Sequence, residues 1–114
     1  MLNPPNKADR RYARIATPKG VWVAWQDGVR QEVSRVLDLN VGGLFLNTER
    51  PCAVGASISV LLSVPEGEIR GRAVVRNVSV KGMGIEFVEL REQDSARLHR
   101  LIARLLPASQ DVSG

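Results

Sequence analysis

Two clusters hold the side chains best suited to chemistry. The first is Asp9-Arg10-Arg11-Tyr12-Ala13-Arg14, with Arg10 and Arg14 four positions apart. On a helix or tight turn their guanidiniums face the same way; in extended chain they straddle a bound group. Two converging guanidiniums give paired hydrogen bonds to phosphate oxygens and to the O6/N7 edge of guanine. The spacing alone is common in an arginine-rich chain, where a solvated face is the simpler reading. The second cluster is Asp38-Leu39-Asn40-Val41-Gly42-Gly43. Its plain reading is a glycine-assisted bulge or sharp turn, with Asp38 and Asn40 bonding local backbone. Asp38, Asn40, Gly43 and Glu49 also fall at positions 1, 3, 6 and 12 of a calcium loop. Position 5 of that loop is Gly42 and position 9 is Leu46, neither with a side-chain oxygen, and the flanks are β-patterned, so calcium is not expected.

Little else in the chain is reactive. His99 lies in a helical stretch among arginines, and Cys52 follows a proline in a loop, with no nucleophile and base placed together. No phosphate-loop or dinucleotide glycine motif occurs, so no catalysis and no cofactor are expected. One cysteine and one histidine exclude an internal disulfide and a zinc site of the Cys/His type. No apolar run approaches the ~18–20 residues that a membrane span needs, which implies no membrane insertion. The first residues lack the apolar stretch of a signal peptide, and cytoplasmic residence is the expectation.

The 114 residues suffice for one domain. Residues 1–35 hold seven basic and three acidic side chains, and residues 36–114 hold nine of each, so the whole surplus of four sits at the front. Thirteen of the sixteen basic residues are arginine, whose rigid fork suits phosphate and guanine edges; an anionic partner fits that bias, and so does a solvated surface.

These clusters need elements to position them. Residues 1–8 are polar with two prolines and read as a disordered N-terminus, and 9–18 as a basic arm closed by Thr17-Pro18. From 19 to 89 the period is two. Val21, Val23 and Trp25 alternate with polar or small partners, then Asp27-Gly28 signals a hairpin. Further runs cover Arg30–Leu39, Leu44–Leu46, Ser57–Leu62, Ile69–Arg76 and Met83–Val88. Six short strands, each with one apolar face, predict a mainly β, six-stranded antiparallel barrel, because closure buries the dry side and removes edges. Leu98, Leu101, Ile102 and Leu105 then follow helical spacing within 91–106, and their stripe is expected to cover the sheet. Residues 107–114 read as a flexible tail.

Together the two clusters say more than either alone. An RxxxR just before a six-stranded barrel, followed by D/N-x-S-x-x-G after the second strand, resembles the PilZ domain family. Arg10 and Arg14 match the two arginines, Asp38 and Gly43 match the ends of the second motif, and Gly84-Ile85-Glu86-Phe87 and the terminal helix also look like the family's. The likeness runs from Asp9 to the helix. It implies a PilZ-like split barrel and a non-catalytic bacterial receptor for cyclic di-GMP. It further implies an arm that folds over its ligand, with Arg10, Arg11 and Arg14 gripping phosphate and guanine. Asp38, Asn40, Gly42 and Gly43 would then receive a guanine on the barrel. Signalling would follow from ordering of the arm, passed to a downstream protein partner. Two positions depart from the pattern. Asn40 stands where the motif has serine, and Asp9 stands where some members carry a third arginine. They favour the alternative, a degenerate PilZ interaction module of pilus or motility machinery that binds no nucleotide. A third class, a general nucleic-acid binder using Arg70, Arg72 and Arg76 with the arm, has few aromatic platforms to work with, and no specific DNA or RNA is expected.

Overall fold

A period-two run gives each strand one apolar row, and every such row in this chain finds the same interior. The computed structural model describes residues 15–17 and 20–106. The expectations for 1–8, for Arg10, Arg11 and Arg14 in the arm, and for the tail at 107–114 lie outside the described residues. The elements are β1 (Ile15–Ala16), β2 (Trp22–Gln26), β3 (Gln31–Asn40), β4 (Gly43–Asn47), β5 (Ser57–Val64), β6 (Gly67–Ser79), β7 (Gly82–Leu90) and α1 (Glu92–Leu105). Strands β3, β2, β5, β6, β7 and β4 are hydrogen-bonded in that order, and β4 pairs back to β3, which closes a six-stranded antiparallel barrel.

β1 is an addition to the six strands read from the sequence. It lies at the end of the basic arm and pairs with β3, Ile15 opposite Leu39 and Ala16 opposite Asp38. Two residues carry no readable period, so only the fold reveals this pairing.

The interior is filled by Val23 and Trp25 of β2, Val36 and Leu39 of β3, Leu44 and Leu46 of β4, and the inward rows of β5, β6 and β7. Trp25 satisfies its one donor inside, Nε1 donating to Ser34 Oγ at 2.9 Å. Helix α1 lays Leu98, Leu101 and Ile102 into this core. Burying a leucine contributes roughly 1.5–3 kcal/mol over leaving it in water. Asp94, only 4% exposed, fixes the helix to β6 by accepting the Arg70 N–H at 2.9 Å.

The β2–β3 hairpin is built by side-chain capping. Asp27 Oδ1 accepts the N–H groups of Val29 and Arg30, each at 2.9 Å, and Gly28 takes φ +96°. The Arg30 guanidinium lies over the Trp25 ring, 5.1 Å from its centre. The Arg30 N–H, then the Val29 N–H, hold the Asp27 carboxyl at about 2, below the usual carboxylate range. A lowered folded value means that the turn's stabilisation is complete above the unfolded carboxylate pKa of ~3.9 and is lost as pH falls through about 2. Thermal melts of wild type and Asp27→Asn should therefore differ at pH 5 and converge towards pH 2; a gap independent of pH would refute this account.

Candidate functional site

The site-bearing strand is β3, ten residues long against five in its hairpin partner β2. β2 pairs with Gln31–Arg35 only. Beyond Arg35 the same edge of β3 passes to the incoming chain. Val36 N–H donates to Val21 O at 2.8 Å, Thr17 N–H donates to Leu37 O at 3.1 Å, and the Thr17 hydroxyl donates to Val36 O. β1 then takes over at Asp38 and Leu39. On the other edge the register with β4 slips, Val36 opposing Leu46 and Asp38 opposing Phe45, which leaves Leu37 as the extra residue of a bulge. The bulge resets the alternation. Val36 and Leu39 are both in the core, whereas Asp38 and Asn40 are half-buried on the outer side.

The sequence reading of a glycine-assisted turn applies just past Asp38. Asn40 Oδ1 accepts the N–H of Gly42 at 2.7 Å and of Gly43 at 2.9 Å, so it organises the β3–β4 hairpin. Gly42 O accepts the Phe87 N–H at 2.8 Å, tying the hairpin to β7. At Gly43 a methyl group would stand 1.9 Å from Ile85 O, so β4 and β7 approach too closely for any side chain there. Gly82 plays the same part at the other end of the β4–β7 seam, with φ +150° and Leu46 O 1.8 Å from where a Cβ would lie. The resemblance assigns Gly43 to ligand approach; barrel closure requires it independently.

Asp38, Asn40, Gly42 and Gly43 thus form one corner of the barrel surface. The neighbouring strands extend it. Asp38 faces Phe45, Phe45 faces Gly84, and Gly84 faces Asn77, whose amide packs into the space a side chain at 84 would fill. Gly43 faces Glu86, and Glu86 accepts from Arg76 Nε at 2.5 Å. Phe45 and Asn77 had no signal in the sequence, and Glu86 had one only within the Gly84–Phe87 likeness, because the register that joins four strands is not written in any one of them. A carboxylate beside a half-buried aromatic, rimmed by backbone, suits a planar ligand with adjacent N–H donors.

The basic stripe behaves differently. Arg70, Arg72 and Arg76 stand 3.0, 3.8 and 2.5 Å from Glu68, Glu89 and Glu86. Each positive charge on β6 has its counter-charge on the same surface, which removes the stripe that general nucleic-acid binding would use. Among the described residues no group of three or more His, Cys, Asp or Glu side chains gathers to hold a metal ion, and no helix is long and apolar enough to cross a membrane.

The model of the PilZ domain matches residues 8–104. No curated protein matches the chain. Solved structures share the fold at low identity. The PilZ domain with c-di-GMP of YcgR from Escherichia coli is 18% identical with a TM-score of 0.70, over 91% of this chain and 96% of that one. K. pneumonia MrkH in its apo state is 16% identical with a TM-score of 0.73, over 97% and 54%. The Bacillus subtilis inhibitor of motility (MotI/DgrA) is 21% identical with a TM-score of 0.67, over 82% and 51%. The chain therefore spans about half the length of MrkH and MotI.

Two substitutions test how the corner is held. Asn40→Ala removes the acceptor of two turn N–H groups and should cost ~1–2 kcal/mol in chemical denaturation, at ~1 kcal/mol per hydrogen bond. Gly43→Ala should cost more, ~2–3 kcal/mol, because the β4–β7 backbones must separate. Wild-type stability in either variant would contradict this geometry.

Proposed function

Since the chain belongs to the PilZ domain family, we propose that it is a non-catalytic bacterial receptor for cyclic di-GMP that closes its basic arm over the ligand at the Asp38–Gly43 corner. The observation that carries this reading is the position of β1. Ala16 opposite Asp38 and Ile15 opposite Leu39 root the arm on β3 beside that corner, with Arg14 the next residue along the chain. A guanidinium one bond-linked residue from the root needs no long loop to meet a ligand there, so the entropy of closure is small. Several structures of like fold are described as complexes with c-di-GMP, among them those of YcgR, MrkH and PlzA.

In this proposal Asp38 accepts the N1–H and N2–H groups of one guanine, a pairing only guanine offers among the common bases. Asn40, Gly42 and Gly43 set the floor of the pocket. Arg10, Arg11 and Arg14 bring charge-assisted bonds to the phosphates and to O6/N7. The ligand joins arm to barrel, and the closed arm makes or hides a surface for a downstream protein, an order–disorder switch that acts in the cytoplasm. The chain's own task is binding and transmission; no bond in the ligand is broken.

Calorimetry of the folded chain with cyclic di-GMP, beside linear and mononucleotide controls, tests this directly. Saturable binding of the cyclic dinucleotide is expected. Arg14→Ala and Asp38→Ala should each weaken it by at least ~1.5 kcal/mol, the lower worth of a hydrogen bond to a charged group. No heat and no competition at tens of micromolar ligand would overturn the receptor reading in favour of a module that contacts proteins alone.

A further inference from the structure

One polar side-chain atom among the described residues is buried without a hydrogen-bond partner, and it is Arg35 Nε. Every other buried side-chain nitrogen or oxygen there is satisfied, as is usual in folded proteins. Arg35 also differs from the chain's other strand arginines. Arg70, Arg72 and Arg76 each stand within 4 Å of a glutamate, and Arg35 makes no such pair. Neighbouring Ser34 and Val36 are buried, so Arg35 projects to the outer side of β3, the side that carries Asp38 and Asn40. Three residues of strand span ~10 Å at most, within the combined reach of an arginine and a ligand seated on Asp38. Across the strands Arg35 faces Trp22 on β2 and Asn47 on β4. Trp22, the cross-strand partner of Arg35, is 49% exposed.

We infer that Arg35 is a further ligand-binding residue of the proposed dinucleotide site, its side chain turning outward so that Nε–H and one Nη–H donate in parallel to two adjacent acceptor atoms of the ligand. This rests on the cyclic di-GMP reading and extends it along β3. A buried guanidinium N–H that finds no acceptor in the protein costs free energy in the unbound state. The cost is recovered when a bound group presents two acceptors, and the ligand has two such groups, phosphodiester oxygens and the guanine O6/N7 edge. The binding strand would then carry its cation and its carboxylate on one outward face, Arg35 at one end and Asp38 at the other. Trp22, next to Arg35, would be covered at the same time.

The test is cyclic di-GMP titration of wild type, Arg35→Leu and Arg35→Lys, with thermal melts of each free protein. Both variants should bind at least tenfold more weakly, because lysine keeps the charge but lacks the paired donors. The free Arg35→Leu protein should melt no lower than wild type, since an unpaired donor has been removed. Tryptophan fluorescence should change on binding in wild type and not in Trp22→Phe, because Trp25 is in the core. A cyclic dinucleotide with 7-deazaguanine separates the two acceptors. Losses that do not add with Arg35→Leu assign the guanine edge, and additive losses assign the phosphate. If wild type binds and both Arg35 variants bind equally well, or if Trp22 fluorescence stays unchanged at saturation, the inference is overturned while the receptor reading stands. If wild type itself does not bind, the receptor reading fails and takes this extension with it. Should Arg35→Leu not fold, Arg35→Lys decides.

Discussion

The structure depends on how β3 shares its edges. A strand has two, and β3 serves three neighbours: β4 along one side, and β2 then β1 along the other. The hand-over falls between Arg35 and Asp38, where Leu37 bulges out and Val36 and Leu39 both turn inward. Without that extra residue, strict alternation would send Asp38 to the core beside Val36, and a buried carboxylate with no counter-charge costs several kcal/mol. The bulge thus does two things at once. It keeps the barrel interior apolar, and it sets Asp38 and Asn40 on the surface where the arm begins.

Closure of the barrel then locks the corner. The β4–β7 seam joins strands far apart in sequence, and its two ends are glycines because the backbones meet at distances no side chain permits. Asn40 holds the intervening hairpin with two accepted hydrogen bonds, a task a motif serine would do with a shorter side chain. The hairpin that Asn40 holds and the root of the arm at β1 therefore meet at one point. In the proposed receptor the scaffold would fix recognition geometry while closure of the arm would supply the conformational change.

Charge is distributed to the same end. On β6 each outward arginine has a glutamate beside it, so the barrel wall is locally neutral, and surface pairs of this kind contribute little to stability. The surplus of positive charge belongs to the first 35 residues, which hold the arm and Arg35. In the proposed receptor this bias would draw an anionic ligand to the arm and Arg35 rather than spread it over the barrel.

Much of this was legible in the chain itself. Alternation in Val21–Gln26 or Ser57–Leu62 names an inward row because a strand's side chains have period two, and Leu98, Leu101 and Ile102 name a helix face for the equivalent reason at 3.6. Asp27-Gly28 and Asn40–Gly43 mark turns through local hydrogen bonding, which needs only neighbours in sequence. What lay beyond reach was everything set by register between strands. The β1 pairing, the Leu37 bulge, the Phe45–Gly84–Asn77 row and the β7 glutamates that neutralise Arg72 and Arg76 all join residues apart in the chain, and only the fold shows Nε of Arg35 unpaired. Sequence determined the elements, their dry faces and the two motifs, because those follow from local periodicity and side-chain type. Tertiary structure alone decided which of them meet, because hydrogen-bond register and close backbone approach are properties of pairs of strands.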